Sequence, residues 1–385
     1  MKNNKWFLLL CIFALPLACA DENNETDFDE LPFEVTSVLD LDNTAANYSD
    51  INMPNFFDDN DIVDEDNTPA NNATTDWGAT LGRVLFYDEV LSANNTISCS
   101  SCHLQANAFS DPDQFSTGFE GGLTGRNSMG LSNAKYYENG RFFWDERAST
   151  LEEQTLMPIQ DLVEMGLTLD EMIAKLNMQD YYPPLFERAF GDATITSDRV
   201  SLALSQFVRS MVSYQSKYDE GRSQVNNTGQ DFPNFTAQEN LGKEVFLSAN
   251  LGRCAGCHQT DLFVGDRAFN NGLDAITTDQ GLGAVTGNPN DDGKFKVPSL
   301  RNIEVTGPYM HDGRFSTLEE VVEHYDSGVQ AHPNLDNRLE LPNSNTPRRL
   351  NLSDQEKAAL VAFMRTLTDN AFMSDPKFSN PFREN

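Results

Sequence analysis

The sequence predicts a mostly α fold of two related domains joined by long loops. Three observations predict it. Apolar residues recur at helical spacing, as in Val200, Leu204, Phe207, Val208 and Met211. Capping boxes open helices at Thr150-Leu151-Glu152-Glu153, Thr168-Leu169-Asp170-Glu171, Thr317-Leu318-Glu319-Glu320 and Ser353-Asp354-Gln355-Glu356. One ordered series of short motifs occurs twice, while strand-like alternation is scarce.

The elements follow in chain order. Residues 1–19 read as a secretory leader: Lys2 and Lys5, an apolar run from Trp6 to Leu17, then Ala18-Cys19. That run is short for a membrane span. Cys19, after Leu15-Pro16-Leu17-Ala18, resembles a bacterial lipoprotein processing site. This predicts a lipid anchor at Cys19 and a place in the periplasm or cell envelope. Pro16 is unusual there, and simple signal cleavage is the alternative. Residues 20–75 are rich in Asn, Asp, Glu and Thr, which predicts a disordered acidic tether.

From Trp77 the pattern changes. Leu81-Gly82-Arg83-Val84-Leu85-Phe86 and Leu91-Ser92-Ala93-Asn94 lead to Cys99-Ser100-Ser101-Cys102-His103. Leu241-Gly242-Lys243-Glu244-Val245-Phe246 and Leu247-Ser248-Ala249-Asn250 lead to Cys254-Ala255-Gly256-Cys257-His258. The repeat predicts two domains, 76–225 and 226–385, with a break where Gly221 and Asn226-Asn227-Thr228-Gly229 interrupt periodicity.

C-x-x-C-H is the attachment signature of c-type haem. The thiols add to the haem vinyl groups and the histidine reaches the iron. Two complete copies predict two covalent haems, carried by Cys99, Cys102 and His103 and by Cys254, Cys257 and His258. The domains are therefore expected to be cytochrome c-like. Of six cysteines the other two are Cys11 and Cys19, so no internal disulfide is expected. The net charge of −32 argues against nucleic acid, whose phosphates would be repelled. An acidic face could steer a basic electron donor or could serve solubility alone.

Further motifs name a family. They are Phe142-Phe143-Trp144-Asp145-Glu146-Arg147-Ala148, Val163-Glu164-Met165-Gly166, Val297-Pro298-Ser299-Leu300-Arg301-Asn302 and Pro308-Tyr309-Met310-His311-Asp312-Gly313. With the haem motifs they resemble the bacterial di-haem cytochrome c peroxidases, a family that includes the MauG-type enzymes. The resemblance spans roughly Asp76 to Asp369. It implies that the N-terminal haem reduces hydrogen peroxide and that the C-terminal haem relays electrons from a donor cytochrome c or small copper protein. It also allows a homodimer.

The resemblance assigns roles residue by residue. Glu164 matches the catalytic glutamate and Gln154 the neighbouring distal glutamine. By themselves both are ordinary surface residues. Trp144 matches the tryptophan between the haems, though a lone buried Trp serves packing equally well. Many members carry a distal histidine. Here the corresponding stretch reads Ser116-Thr117-Gly118-Phe119-Glu120-Gly121, and none of the five histidines lies between His103 and His258. The first iron is therefore expected to be open in the resting protein. Met129, Met157 and Met165 could substitute, or could be core.

The second iron needs a sixth ligand, and two candidates compete. Met310 lies in the P-Y-M-H-D-G motif. Leu318, Val321, Val322 and Tyr325 share one helix face, so Tyr325 is expected to point inward. In peroxidases of the family a methionine ligand stands about as far beyond the motif histidine as Tyr325 stands beyond His311. MauG-type members use tyrosine, which favours Tyr325. A calcium ion commonly lies between the haems, and Asn127, Thr306 and Pro308 match its ligands. The alternatives to peroxidase chemistry are MauG-like oxidation of a partner protein and plain di-haem electron transfer.

Overall fold

The computed structural model describes residues 30–384. The expected leader and the anchor at Cys19 lie outside them. Among the described residues no helix is long and apolar enough to cross a membrane.

The architecture is helical. Helix Asp76–Tyr87 precedes the first C-x-x-C-H and packs against helix Ser197–Ser210. Helix Ala237–Leu247 precedes the second and packs against helix Asp354–Arg365. The sequence repeat explains the close approach. A Cβ on Gly82 would lie 2.0 Å from the carbonyl oxygen of Ala203, so only glycine fits at that crossing. Gly242 meets Ala359 in the same way.

The expected helix starts form. Thr168, Thr317 and Ser353 each open a reciprocal capping box. Thr150 caps Glu153, whose carboxylate bonds Ser149 instead of closing the box. The regular sheet among the described residues is a two-stranded antiparallel pair, Ala268–Phe269 with Phe295–Lys296.

Two aromatic cores repeat one another. Phe86 meets Phe109 and Phe207, with ring centroids 5.9 and 5.4 Å apart. Phe246 meets Phe263 and Phe363 at 5.6 and 5.2 Å. Edge-to-face and tilted pairs of this kind favour unlike parts of the ring quadrupoles.

The disordered tether expected over 20–75 is corrected for its described part. Residues 30–75 form a strap. Leu31, Val35, Leu39 and Tyr48 bury in the first core. Phe56, Phe57 and Ile62 pack with Tyr136, Tyr137, Val212, Leu262 and Val264, next to the second haem motif. Sparse apolar residues among many carboxylates lower the average hydropathy yet suffice when each is buried. The expected 226–385 domain is corrected as well. After helix Asp354–Arg365 the chain crosses back, and Phe372 and Phe378 enter the first core beside Phe109.

Candidate functional site

At each C-x-x-C-H the cysteines sit on a short 3-10 turn, Cys99–Ser101 and Cys254–Gly256. The first is closed by reciprocal bonds between Ser98 and Ser101. Nδ1 of His103 lies 2.8 Å from the carbonyl oxygen of Phe109, and Nδ1 of His258 lies 3.1 Å from that of Phe263. A carbonyl only accepts, so each Nδ1 carries the proton and each Nε2 keeps its lone pair for a metal. Phe109 and Phe263 have φ of +61° and +54°, a left-handed conformation that bulky residues rarely adopt. Burial lowers the pKa of both imidazoles, His258 to about 4, which keeps them neutral. Burial likewise pushes the Cys99 and Cys254 thiols up to about 12.

Glu164 stands against the first motif. It is half-buried, and its pKa is raised by burial and by Asp161, with Arg147 opposing. Its charge in turn raises the Cys99 and Cys102 thiols. Two contacts fix its loop. Phe119 N–H donates to the Glu164 carbonyl at 3.0 Å, and a Cβ on Gly118 would lie 1.6 Å from the Val163 carbonyl oxygen. The stretch Ser116–Gly121 therefore packs directly on Val163–Glu164. Gln154, half-buried on helix Leu151–Gln160, has a side chain without a hydrogen-bond partner among the described residues.

The histidines beyond the two motifs are engaged elsewhere. His311 stacks on Phe295, with centroids 3.7 Å apart. His324 bonds the Asn271 carbonyl, and His332 bonds Asn270 and Thr277. Met165 is buried in the first core and Met157 packs with the cluster around Leu151 and Val208. Met129 lines the second cavity.

That cavity is lined by Cys254, Cys257, His258, Trp144, Met310 and Tyr325. Both candidate ligands thus reach it. Helix Leu318–Glu323 continues as a π-helical turn, His324–Gly328, which carries Tyr325. Nδ2 of Asn271 lies 3.4 Å from both the Tyr325 hydroxyl and the Met310 sulfur. Burial raises the Tyr325 phenol to about 12.

Trp144 links the halves. It belongs to the first by sequence and lines the second cavity, while its indole N–H donates to the Asn127 carbonyl at 2.8 Å. Asn127 spends its side-chain N–H groups on the Asp113 and Gln114 carbonyls, and its Oδ1 has no partner among the described residues. Thr306 and Pro308 line the same cavity. Among the described residues no three His, Cys, Asp or Glu side chains group to hold a metal ion. A cation beside Asn127 would rely on amide and carbonyl oxygens.

The residues fit a haem at each motif. The donor set is two thiols and a free imidazole nitrogen in apolar surroundings. In the second cavity, Arg253 and Arg301 each carry a buried Nε without a partner among the described residues, suited to an anionic group. The functional positions not foreseen from sequence are Phe109, Phe263 and Asn271. The two Phe could have been found by extending the repeat five or six residues past each histidine.

Comparison with known proteins agrees with this architecture. The family model for di-haem cytochrome c peroxidase matches residues 77–226. The methylamine utilization protein MauG of Methylophilus methylotrophus is 31% identical over 303 residues, covering 79% of this chain and 86% of its own. Cytochrome c551 peroxidase of Nitrosomonas europaea is 32% identical over 308 residues, covering 79% and 82%. The crystal structure of a MauG-like protein associated with microbial copper homeostasis superimposes with a TM-score of 0.69 at 34% identity, covering 81% of this chain and 95% of that one. The di-haem peroxidase BthA of Burkholderia thailandensis, at 22% identity and a TM-score of 0.66 over 81% and 91%, shares the fold.

Proposed function

The chain belongs to the di-haem cytochrome c peroxidase family, which includes MauG, and from that premise we propose that it reduces hydrogen peroxide to water with electrons from a c-type cytochrome or small copper protein. The family carries two c-type haems. Here they attach through Cys99 and Cys102 and through Cys254 and Cys257. Bound haem supplies an iron that takes up peroxide at one site and exchanges single electrons at the other.

The protein's own residues do the rest. The Phe109 and Phe263 carbonyls fix the planes of His103 and His258 and direct each Nε2 to its iron. Glu164 moves a proton from the near peroxide oxygen to the far one, so that the far oxygen departs as water. Gln154 offers an amide to the same oxygens. Trp144 lies between the centres and carries charge. Tyr325 would hold the second iron, with Met310 as the alternative. Asn127 Oδ1 and the carbonyls of Thr306 and Pro308 would hold a calcium ion. The protein works in the periplasm or cell envelope, anchored at Cys19.

The observation that carries this reading is the inequality of the two sites. A half-buried carboxylate faces the first motif, and among the described residues His311, His324 and His332 stack or bond elsewhere. Tyrosine and methionine side chains crowd the second. The test is steady-state peroxide reduction by the holoprotein with reduced cytochrome c. Turnover that collapses in Glu164→Ala supports the proposal, and equal turnover in both proteins refutes it.

A second reading is oxidation of residues on a partner protein, as a MauG-like enzyme. Tyr325 at the second cavity and the missing distal histidine favour it. It predicts partner modification with little cytochrome turnover.

A further inference from the structure

Lys296 is a buried lysine with no carboxylate paired to it among the described residues. The residue is 7% exposed, and its Nζ makes no hydrogen bond or ion pair with a described residue. Its neighbours are accounted for. The Tyr137 ring lies below it, 3.9 Å from Nζ to centroid. Glu146 is the carboxylate whose charge acts on it, but its oxygens are committed to the Tyr137 hydroxyl and Asn139. Ring contact lowers the cost of a buried cation without satisfying its three N–H donors. An unpaired buried charge is otherwise expensive. Burial accordingly pushes the ammonium down to about 8.

The position of Lys296 says what the missing partner is. Its backbone N–H donates to the Trp144 carbonyl at 2.8 Å, and the residue is among those lining the cavity that holds Cys254, Cys257 and His258. The group expected in that cavity carries two carboxylates of its own, the haem propionates. We propose that Lys296 is a positioning residue for the second haem, its ammonium pairing with a propionate and holding that haem's reduction potential up. The proposal rests on haem binding at the second motif. A fixed positive charge beside a haem destabilises the ferric state, which bears one more positive charge than the ferrous. Placed next to Trp144, this charge makes the second centre easier to reduce from outside.

The experiment uses holoprotein with Lys296→Met and Lys296→Arg. Haems are counted by intact mass, and the potentials of both are read by spectroelectrochemical titration. A wild-type mass with fewer than two haems refutes the haem reading itself, before either variant is considered. With two haems present, the expected result is a lower potential for one haem in Lys296→Met, near wild-type values in Lys296→Arg, and an unmoved potential at the other haem. Loss of the second haem in Lys296→Met alone, with Lys296→Arg fully loaded, supports the same role. Unchanged potentials in a fully loaded Lys296→Met overturn the proposal. So does equal loss or an equal shift in both variants, since that assigns the lysine to packing.

Discussion

Gly242 and Ala359 meet where two helices cross: a Cβ on Gly242 would lie 1.9 Å from the Ala359 carbonyl oxygen and 2.8 Å from the Phe363 Cβ. Phe363 packs on Phe246 and Phe263, and the Phe263 carbonyl orients His258. The crossing therefore sets the position of a candidate iron ligand. Gly242→Ala should force the helices apart and lower stability by about 1–3 kcal/mol. Gly82→Ala should do the same in the first half. Thermal or denaturant unfolding checks both, and wild-type stability in either variant would remove the crossing from the account.

Glu152 and Arg209 make the second stability prediction. Arg209 is buried and donates to both Glu152 oxygens, while Asn72 also donates to that carboxylate. Burial alone would raise the Glu152 pKa, but Arg209 and Asn72 overcome it and hold it at about 2. A carboxylate depressed on folding stabilises above its unfolded pKa of roughly 4.3. That contribution falls away as pH drops from there toward 2. Glu152→Gln should cost about 3 kcal/mol at neutral pH by stranding the guanidinium. The variant should also lose less stability than wild type between those pH values, which unfolding curves measured across the range would reveal.

Glu164 should govern the chemistry. Glu164→Gln is expected to lower kcat/KM for peroxide about 10²–10⁴-fold with haem content intact. The carboxylate must be ionised to accept a proton, and burial raises its pKa. The rate should therefore rise with pH through a limb above the ordinary carboxylate range, and the variant should lack that limb. A wild-type profile flat from acid to neutral would contradict the assignment.

Tyr325→Phe should change the absorption and potential of one haem while leaving both covalently attached. Phenolate is an established ligand of haem iron, and phenylalanine removes the oxygen with little change of shape. An unchanged spectrum would transfer the ligand role to Met310, whose sulfur shares Asn271 with Tyr325.

Much of this was legible in the sequence because it is carried by local patterns. The C-x-x-C-H motifs, the L-G-[RK] repeat and the capping boxes each span few residues and leave strong signals. What was not legible depends on long-range contacts. The strap 30–75 hides its buried residues among carboxylates. The tail bearing Phe372 and Phe378 returns to the first core from far along the chain. The Phe109 and Phe263 carbonyls act through backbone geometry, which side-chain identity does not announce. Nothing in the sequence singles out Lys296 until its cavity is seen.

The most direct test of the central claim, one iron open and the other closed, is addition of cyanide to the resting oxidised holoprotein, followed by absorption and electron paramagnetic resonance. One of the two haems should become low-spin with cyanide and the other should stay unchanged. If neither haem responds, or the first is already low-spin with two nitrogen ligands, the account is contradicted.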